Sequence, residues 1–323
     1  MRYCDNQSIP LNESLQNVFC ALVQWQWVLV GIAGGISIPL YILVLRLLLK
    51  LRSTVNFGSP FYTLLFSQGV LDIGGFLSYF FFSDLRHVIK GLFWYIRESY
   101  LPSLGYACEQ IFLVGRILGV TLLALQRIAS VTFPNSMMNY AFNGFPKALL
   151  IGSHWALPIL SSVPVLTQYH TYDDEVKMNL VVPMLDFTIN ALSVAVLASV
   201  SLVVVTFCFV RILLQITVDL AVGNHSRRAR KELSATFILA GMLAGYYLCS
   251  GFHLLQYFYV STRDQEKIDQ IYAIRLFYPT MNAIFSLITP WLICICNDEI
   301  RKMICFSKAE IDAYQRKNLA NNV

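Results

Sequence analysis

Asp72, Arg116 and Asn282 are the residues whose chemistry can be read first. Each stands inside a long apolar run, where an ionisable group costs about 2.5–3.5 kcal/mol on insertion scales and seeks a partner in the protein interior. At 1.5 Å of rise per helical residue, Arg116 lies roughly 16 Å above the inner end of its run, and Asp72 and Asn282 roughly 20 and 21 Å above theirs. The three share one layer. Their depths predict an Asp72–Arg116 ion pair with Asn282 beside it. Such a pair is either a structural buried salt bridge or a contact whose making and breaking biases two packings of the helices. Glu109 stands seven residues before Arg116, and Arg127 stands eleven after it. Both intervals return to nearly the same helical face, so one polar stripe runs along the third run.

A second group of polar and aromatic residues falls near the outer ends of the runs. It comprises Tyr106, Glu109, Phe112, Asp186, His253, Gln256, Tyr257, Arg275 and Tyr278. Taken singly, each reads as an interfacial residue meeting headgroups and water. Taken as a layer, they read as a small-molecule site between helices, a few placed polar groups in mostly apolar walls. No cofactor or metal is implied. The five histidines are scattered, no CxxC pair occurs, and Cys294 and Cys296 have no histidine near them. No paired catalytic groups stand out, so no catalytic residue is expected.

The elements that position these residues follow from composition. Of 323 residues, 56% are hydrophobic and 13% charged, about half the charge of a soluble domain. That excludes an ordinary cytosolic enzyme, a disordered regulator and a disulfide-rich miniprotein. Seven runs are long and apolar enough to cross a bilayer as helices. They are Val28–Leu49, Pro60–Phe82, Leu104–Ile128, Ala148–Tyr169, Phe187–Val210, Leu233–Val260 and Ile271–Cys296. The third is the weakest, because it holds Glu109, Arg116 and Arg127. With the N-terminus outside, 15 Lys and Arg flank the cytosolic ends and 7 the outer ends, as the positive-inside rule requires. The expected fold is an all-α membrane protein, a seven-helix bundle. It divides into an outer head over 1–26, the bundle over 27–296 and a cytoplasmic tail over 297–323.

Smaller signals fit that frame. Asn6 and Asn12 open N-glycosylation sequons in the outer head. The head has no basic start, long apolar core or cleavage site, so no cleaved signal peptide is expected. Arg227, Arg228, Arg230 and Lys231 precede the sixth run and read as a lipid anchor or as a contact for a cytosolic partner. The net charge of +5 is thereby assigned to the membrane surface, not to nucleic acid. Asn297 is placed to cap a short helix with Asp298 and Glu299 in its first turn. Ile300, Met303, Ile304 and Phe306 give that helix an apolar side, which predicts a helix lying on the membrane surface. Cys294, Cys296 and Cys305 are candidates for palmitoylation there, or are idle or buried thiols.

Further residues carry a resemblance. They are Phe61-Tyr62 at the start of the second run with Asp72 deeper, Gln126-Arg127 ending the third, and Asn282 through Ser286 to Pro290-Trp291 on the seventh. With seven runs and a surface helix, the chain resembles a G-protein-coupled receptor of rhodopsin-like architecture. The finer similarity is to nematode serpentine chemoreceptors, especially the class gamma (Srg) type. The resemblance implies a receptor in the plasma membrane, a sensory cilium among its expected places. It implies a small-molecule ligand in the outer half and a heterotrimeric G protein contacting Arg127 at the inner end. The chain departs from the rhodopsin pattern in several places. Gln126 stands where an acidic residue usually precedes the helix-three Arg, and the seventh run has no Asn-Pro-x-x-Tyr. The second outer loop has no cysteine, so the usual bridge to helix three cannot form; Cys4 and Cys20 share the side of Cys108 and are its two candidate partners, with the sequence choosing neither. Arg116 stands where such receptors often hold sodium, and its guanidinium is expected to replace that ion. The competing reading is a small-solute transporter or ligand-gated channel, which would predict matched repeats and interrupted helices; no matching halves occur.

Overall fold

The computed structural model describes residues 13–51, 59–85, 89–172, 180–181, 184–221, 227–261 and 277–304. The helices are α1 (Glu13–Leu51), α2 (Pro60–Tyr79), α3 (Lys90–Tyr95), α4 (Leu101–Val131), α5 (Met137–Gly144), α6 (Lys147–Leu166), α7 (Met184–Ala221), α8 (Arg227–Ser261), α9 (Tyr278–Cys296) and α10 (Asp298–Ile304). A π-helical turn over Phe80–Asp84 continues α2. Two short strands, β1 (Thr171–Tyr172) and β2 (Leu180–Val181), pair antiparallel with Thr171 opposite Val181.

Seven helices are long and apolar enough to cross a membrane: α1, α2, α4, α6, α7, α8 and α9, the first to seventh spans. Helices serve here because lipid offers no partner to an open backbone amide, and a helix satisfies its own. Prolines mark several starts. Pro60, Pro102 and Pro279 stand in the first turns of the second, third and seventh spans, where the missing N–H is not needed.

The third span, read from sequence as the weakest, is the most buried of the seven. It packs against the second, fourth, fifth and sixth spans. Its charges therefore face protein and not hydrocarbon, which is how a bilayer tolerates them. The fifth span shows the opposite arrangement: Val196, Val200, Val203 and Phe207 are 54–68% exposed along one stripe. Around a soluble domain such a stripe would be a liability; around this bundle it is the lipid-facing wall.

A cap closes the outer end near the second and third spans. Phe93 of α3 and Tyr172 of β1 form a small core of their own, with Leu85, Trp94 and Ile96 against it. The cap is tied down at Ser103. Its hydroxyl donates to the Gln168 carbonyl at 2.9 Å and accepts from the His170 amide at 2.9 Å. His170 Nδ1 lies 3.1 Å from the same oxygen. The Tyr100 hydroxyl bonds the Leu166 carbonyl, and the Thr171 hydroxyl donates to the Arg97 carbonyl. Cys108 carries a free thiol; Cys4 and the side chain of Cys20 lie outside the described residues. Hydrogen bonds onto one buried hydroxyl attach the loop.

The inner end holds a correction. Asn297 caps α10 as expected, its Oδ1 accepting from the amides of Glu299 and Ile300 at 3.1 Å. Yet Ile300 and Met303 are buried in the main core together with Leu47, Leu48 and Leu51. The helix packs against the first and seventh spans. Ile300 and Met303 meet protein, because the cap turns the chain back under the bundle immediately after Cys296, while Ile304 is only partly buried. Phe306 and Cys305 lie outside the described residues.

Candidate functional site

Asp72 is fully buried on the second span. Its carboxylate accepts from the Tyr41 hydroxyl at 2.7 Å, Gln68 Nε2 at 2.8 Å and the Thr289 hydroxyl at 3.3 Å. Arg116 is buried on the third span. It donates to the Ser286 hydroxyl at 2.5 Å, Asn282 Oδ1 at 2.7 Å and the Phe112 carbonyl at 3.3 Å. Its guanidinium also sits 4.8 Å from the centre of the Phe285 ring. Among the described residues, no ion pair joins Asp72 to Arg116. The expected pair, and with it the idea of a guanidinium in direct place of a sodium ion, is corrected.

The reason is directional. Side chains on a helix lean toward its N-terminus. The second and third spans run antiparallel, so Asp72 leans toward the cytosol and Arg116 toward the outside. Equal backbone depth thus becomes unequal side-chain depth. Arg116 lies alongside Gly75, one turn outward of Asp72, where a Cβ would come within 3.1 Å of the guanidinium carbon. The neighbouring Gly74 makes room for the Phe112 ring in the same way.

The seventh span serves both centres. Tyr278, Asn282, Ser286 and Thr289 follow at helical spacing on one face. Asn282 and Ser286 bind Arg116, and Thr289 binds Asp72. At the outer end, the Tyr278 hydroxyl lies 3.2 Å from His253 Nε2 on the sixth span. The Tyr278 ring meets Tyr79 at 5.1 Å and Phe252 at 4.9 Å.

Glu109, two turns outward of Arg116, accepts from the Ser83 hydroxyl at 2.5 Å. Ser83 stands in the π-helical turn, a distortion frequent at functional sites, and it is that turn which presents its hydroxyl to the third span. Tyr106, Glu109 and Phe112 are each half-buried on one face of the third span. The Tyr106 ring meets His170 of the cap at a tilt, 5.2 Å between centres, so it belongs to the mouth. Tyr257 is half-buried one turn outward of His253. Asp186 and Gln256 stand in α7 and α8, but their side chains, and the whole of Arg275, lie outside the described residues, as do Asn6 and Asn12.

At the inner end Arg127 is buried, its guanidinium 5.2 Å from the centre of the Phe61 ring. The adjacent Tyr62 hydroxyl accepts from Asn297 Nδ2 at 3.3 Å. Phe61-Tyr62 thus touches the end of the third span with one ring and the cap of α10 with the other. Arg227, Arg228, Arg230 and Lys231 form the first turns of α8, with side chains outside the described residues. Cys294 and Cys296 are half-buried free thiols.

The chain matches the family model described as serpentine type 7TM GPCR chemoreceptor Srv over residues 32–308. It belongs to that family. The matched stretch runs from Ile32 inside the first span of this serpentine chemoreceptor through the other six spans and takes in the whole of α10. Srv is a different family from the class gamma type that the sequence resemblance indicated, and the finer assignment is corrected accordingly. No curated protein matches the chain. In this chemoreceptor, sequence reading missed Tyr41, Gln68 and Thr289 around Asp72, and Ser83 beside Glu109. Two signals were present: Gln68 stands one turn from Asp72, and Tyr41 is the one hydroxyl-bearing ring in the apolar first span.

Proposed function

We propose that this chemoreceptor takes a small-molecule ligand between the outer halves of its third, sixth and seventh spans and signals to a heterotrimeric G protein at its inner end. Glu109, Phe112, His253, Tyr257 and Tyr278 line the site, with Asp186, Gln256 and Arg275 contributed from the outer ends of their helices. The observation that carries the reading is the double attachment of the seventh span. Tyr278 meets His253 in the outer layer, while Asn282, Ser286 and Thr289 grip Arg116 and Asp72 below. A ligand that binds one placement of Tyr278 better than another shifts the population between packings by that difference in affinity. The same helix delivers the shift to Asn297 and Tyr62. Uncovering Arg127 from Phe61 then presents a cation to the G protein, with Arg227, Arg228, Arg230 and Lys231 beside it. The receptor acts in the plasma membrane, a sensory cilium among its places, with glycans on Asn6 and Asn12 outside.

The test is a ligand panel on transfected cells, read as second messenger and as membrane current. A ligand-evoked second-messenger response without ligand-gated current is expected. A current that persists when G proteins are blocked would overturn the reading in favour of a channel. The variant S286A removes one hydrogen bond to a buried cation, about 1.5–3 kcal/mol. It is expected to move the response midpoint by about tenfold, the equivalent of 1.4 kcal/mol, at unchanged surface level.

A further inference from the structure

We infer that α5, the short helix between the third and fourth spans, is a membrane-surface helix whose exposed apolar side lies in the headgroup–acyl boundary of the cytosolic leaflet. Four observations carry this. First, the helix is stable without a partner on that side. The Ser136 hydroxyl caps it by accepting from the Asn139 amide at 3.2 Å. Asn139 Nδ2 donates to the Pro134 carbonyl and Asn143 Nδ2 to the Asn139 carbonyl.

Second, its faces are sorted. Phe142 packs on the main core, so one side is fixed against the bundle. At about 100° per residue, Asn139 and Asn143 fall together on one flank, and Met137, Tyr140 and Ala141 gather on the side away from Phe142. Met137 is 89% and Tyr140 67% exposed. A helix held against a bundle at the bilayer edge has this arrangement, with a polar flank toward water and the side away from the bundle toward lipid.

Third, the segment has no charge. Residues 128–146, the end of the third span and its connection to the fourth, contain no Asp, Glu, Lys or Arg, although they lie at the basic end of the molecule. Hydrocarbon is the surroundings such a surface suits. Fourth, the exposed side is continuous with the lipid-facing wall. Two residues separate Gly144 from Lys147, and Phe145 at 54% exposed leads directly to Leu149 at 58% on the fourth span. The helix after the seventh span buries Ile300 and Met303 in protein, and the helix between the third and fourth spans offers its exposed side to lipid.

The test uses full-length receptor in vesicles of phosphatidylcholine and phosphatidylserine. A benzophenone amino acid replaces Met137, Tyr140, Asn143 or, as lipid-facing reference, Leu157, one at a time. Lipid adducts after illumination are expected at 137 and 140 at yields comparable with 157, and severalfold above 143. Equal yields at 137, 140 and 143 would overturn the inference. Adducts at 137 and 140 to an added G-protein heterotrimer, with lipid unlabelled, would also overturn it and make this side a protein-docking face. The unmodified receptor provides an independent measurement that needs no variant to fold. Peroxide oxidation of Met137 is expected to run severalfold slower in vesicles than in a free methionine peptide, and an equal rate refutes lipid burial.

Discussion

Asp72 and Arg116 sit at one backbone depth on neighbouring antiparallel spans, and the protein treats them in opposite ways. The carboxylate draws neutral donors from the first, second and seventh spans. The guanidinium draws neutral acceptors from the third and seventh spans and an aromatic face from the seventh. Two opposite charges in one low-dielectric layer are thus each satisfied by dipoles, and they meet through the seventh span and not directly. The difference teaches that depth alone does not make a pair. The lean of side chains toward each helix's N-terminus separates them, and the helix that reaches both becomes the one that couples them.

The strongest way to break this comparison is R116M. It leaves Asn282 and Ser286 without their cation and Asp72 without a nearby positive charge. Each hydrogen bond lost from a charged group costs about 1.5–3 kcal/mol, and R116M removes those to Asn282 and Ser286 together. A fall of several degrees in the thermal midpoint of the purified receptor in detergent is expected. Exchange of the two charges, D72R with R116D, is expected to recover none of that loss, since each new side chain leans away from the other; recovery would restore the direct ion pair. A sharper probe is Y41F, which removes the shortest bond to the Asp72 carboxylate. Bonds to charged groups contribute about 1.5–3 kcal/mol, and the same melting assay should register that loss with little change in the response midpoint. T289V is the mildest, because its bond to Asp72 is the longest of the three. About 0.5–1.5 kcal/mol is expected. If T289V instead exceeds Y41F, the seventh span and not the first is the main support of the carboxylate.

The bundle was legible in the sequence because lipid enforces it. A span must be a long apolar helix, and the runs beginning at Pro60 and Leu233 begin the spans at those same residues. The cap at Asn297 was legible too, since an Asn before two acidic residues is a local signal. Side-chain direction was not. The depth estimate placed Asp72, Arg116 and Asn282 in one layer by backbone rise, which is blind to the lean that separates the first two. The helix Met137–Gly144 was missed because eight residues hold barely two turns of period, and an uncharged loop looks the same whether coiled or not. The destination of Ile300 and Met303 could not be read either. An apolar stripe states that it will be covered, and only the path of the chain decides by what. The hairpin Thr171–Tyr172 with Leu180–Val181 is too short to carry any alternation at all.

The fastening of the outer cap has a practical corollary. Its grip on the third span at Ser103 contains no sulfur. Thiol reductants added to keep Cys108, Cys208 and Cys249 from oxidising during purification will leave those hydrogen bonds as they are.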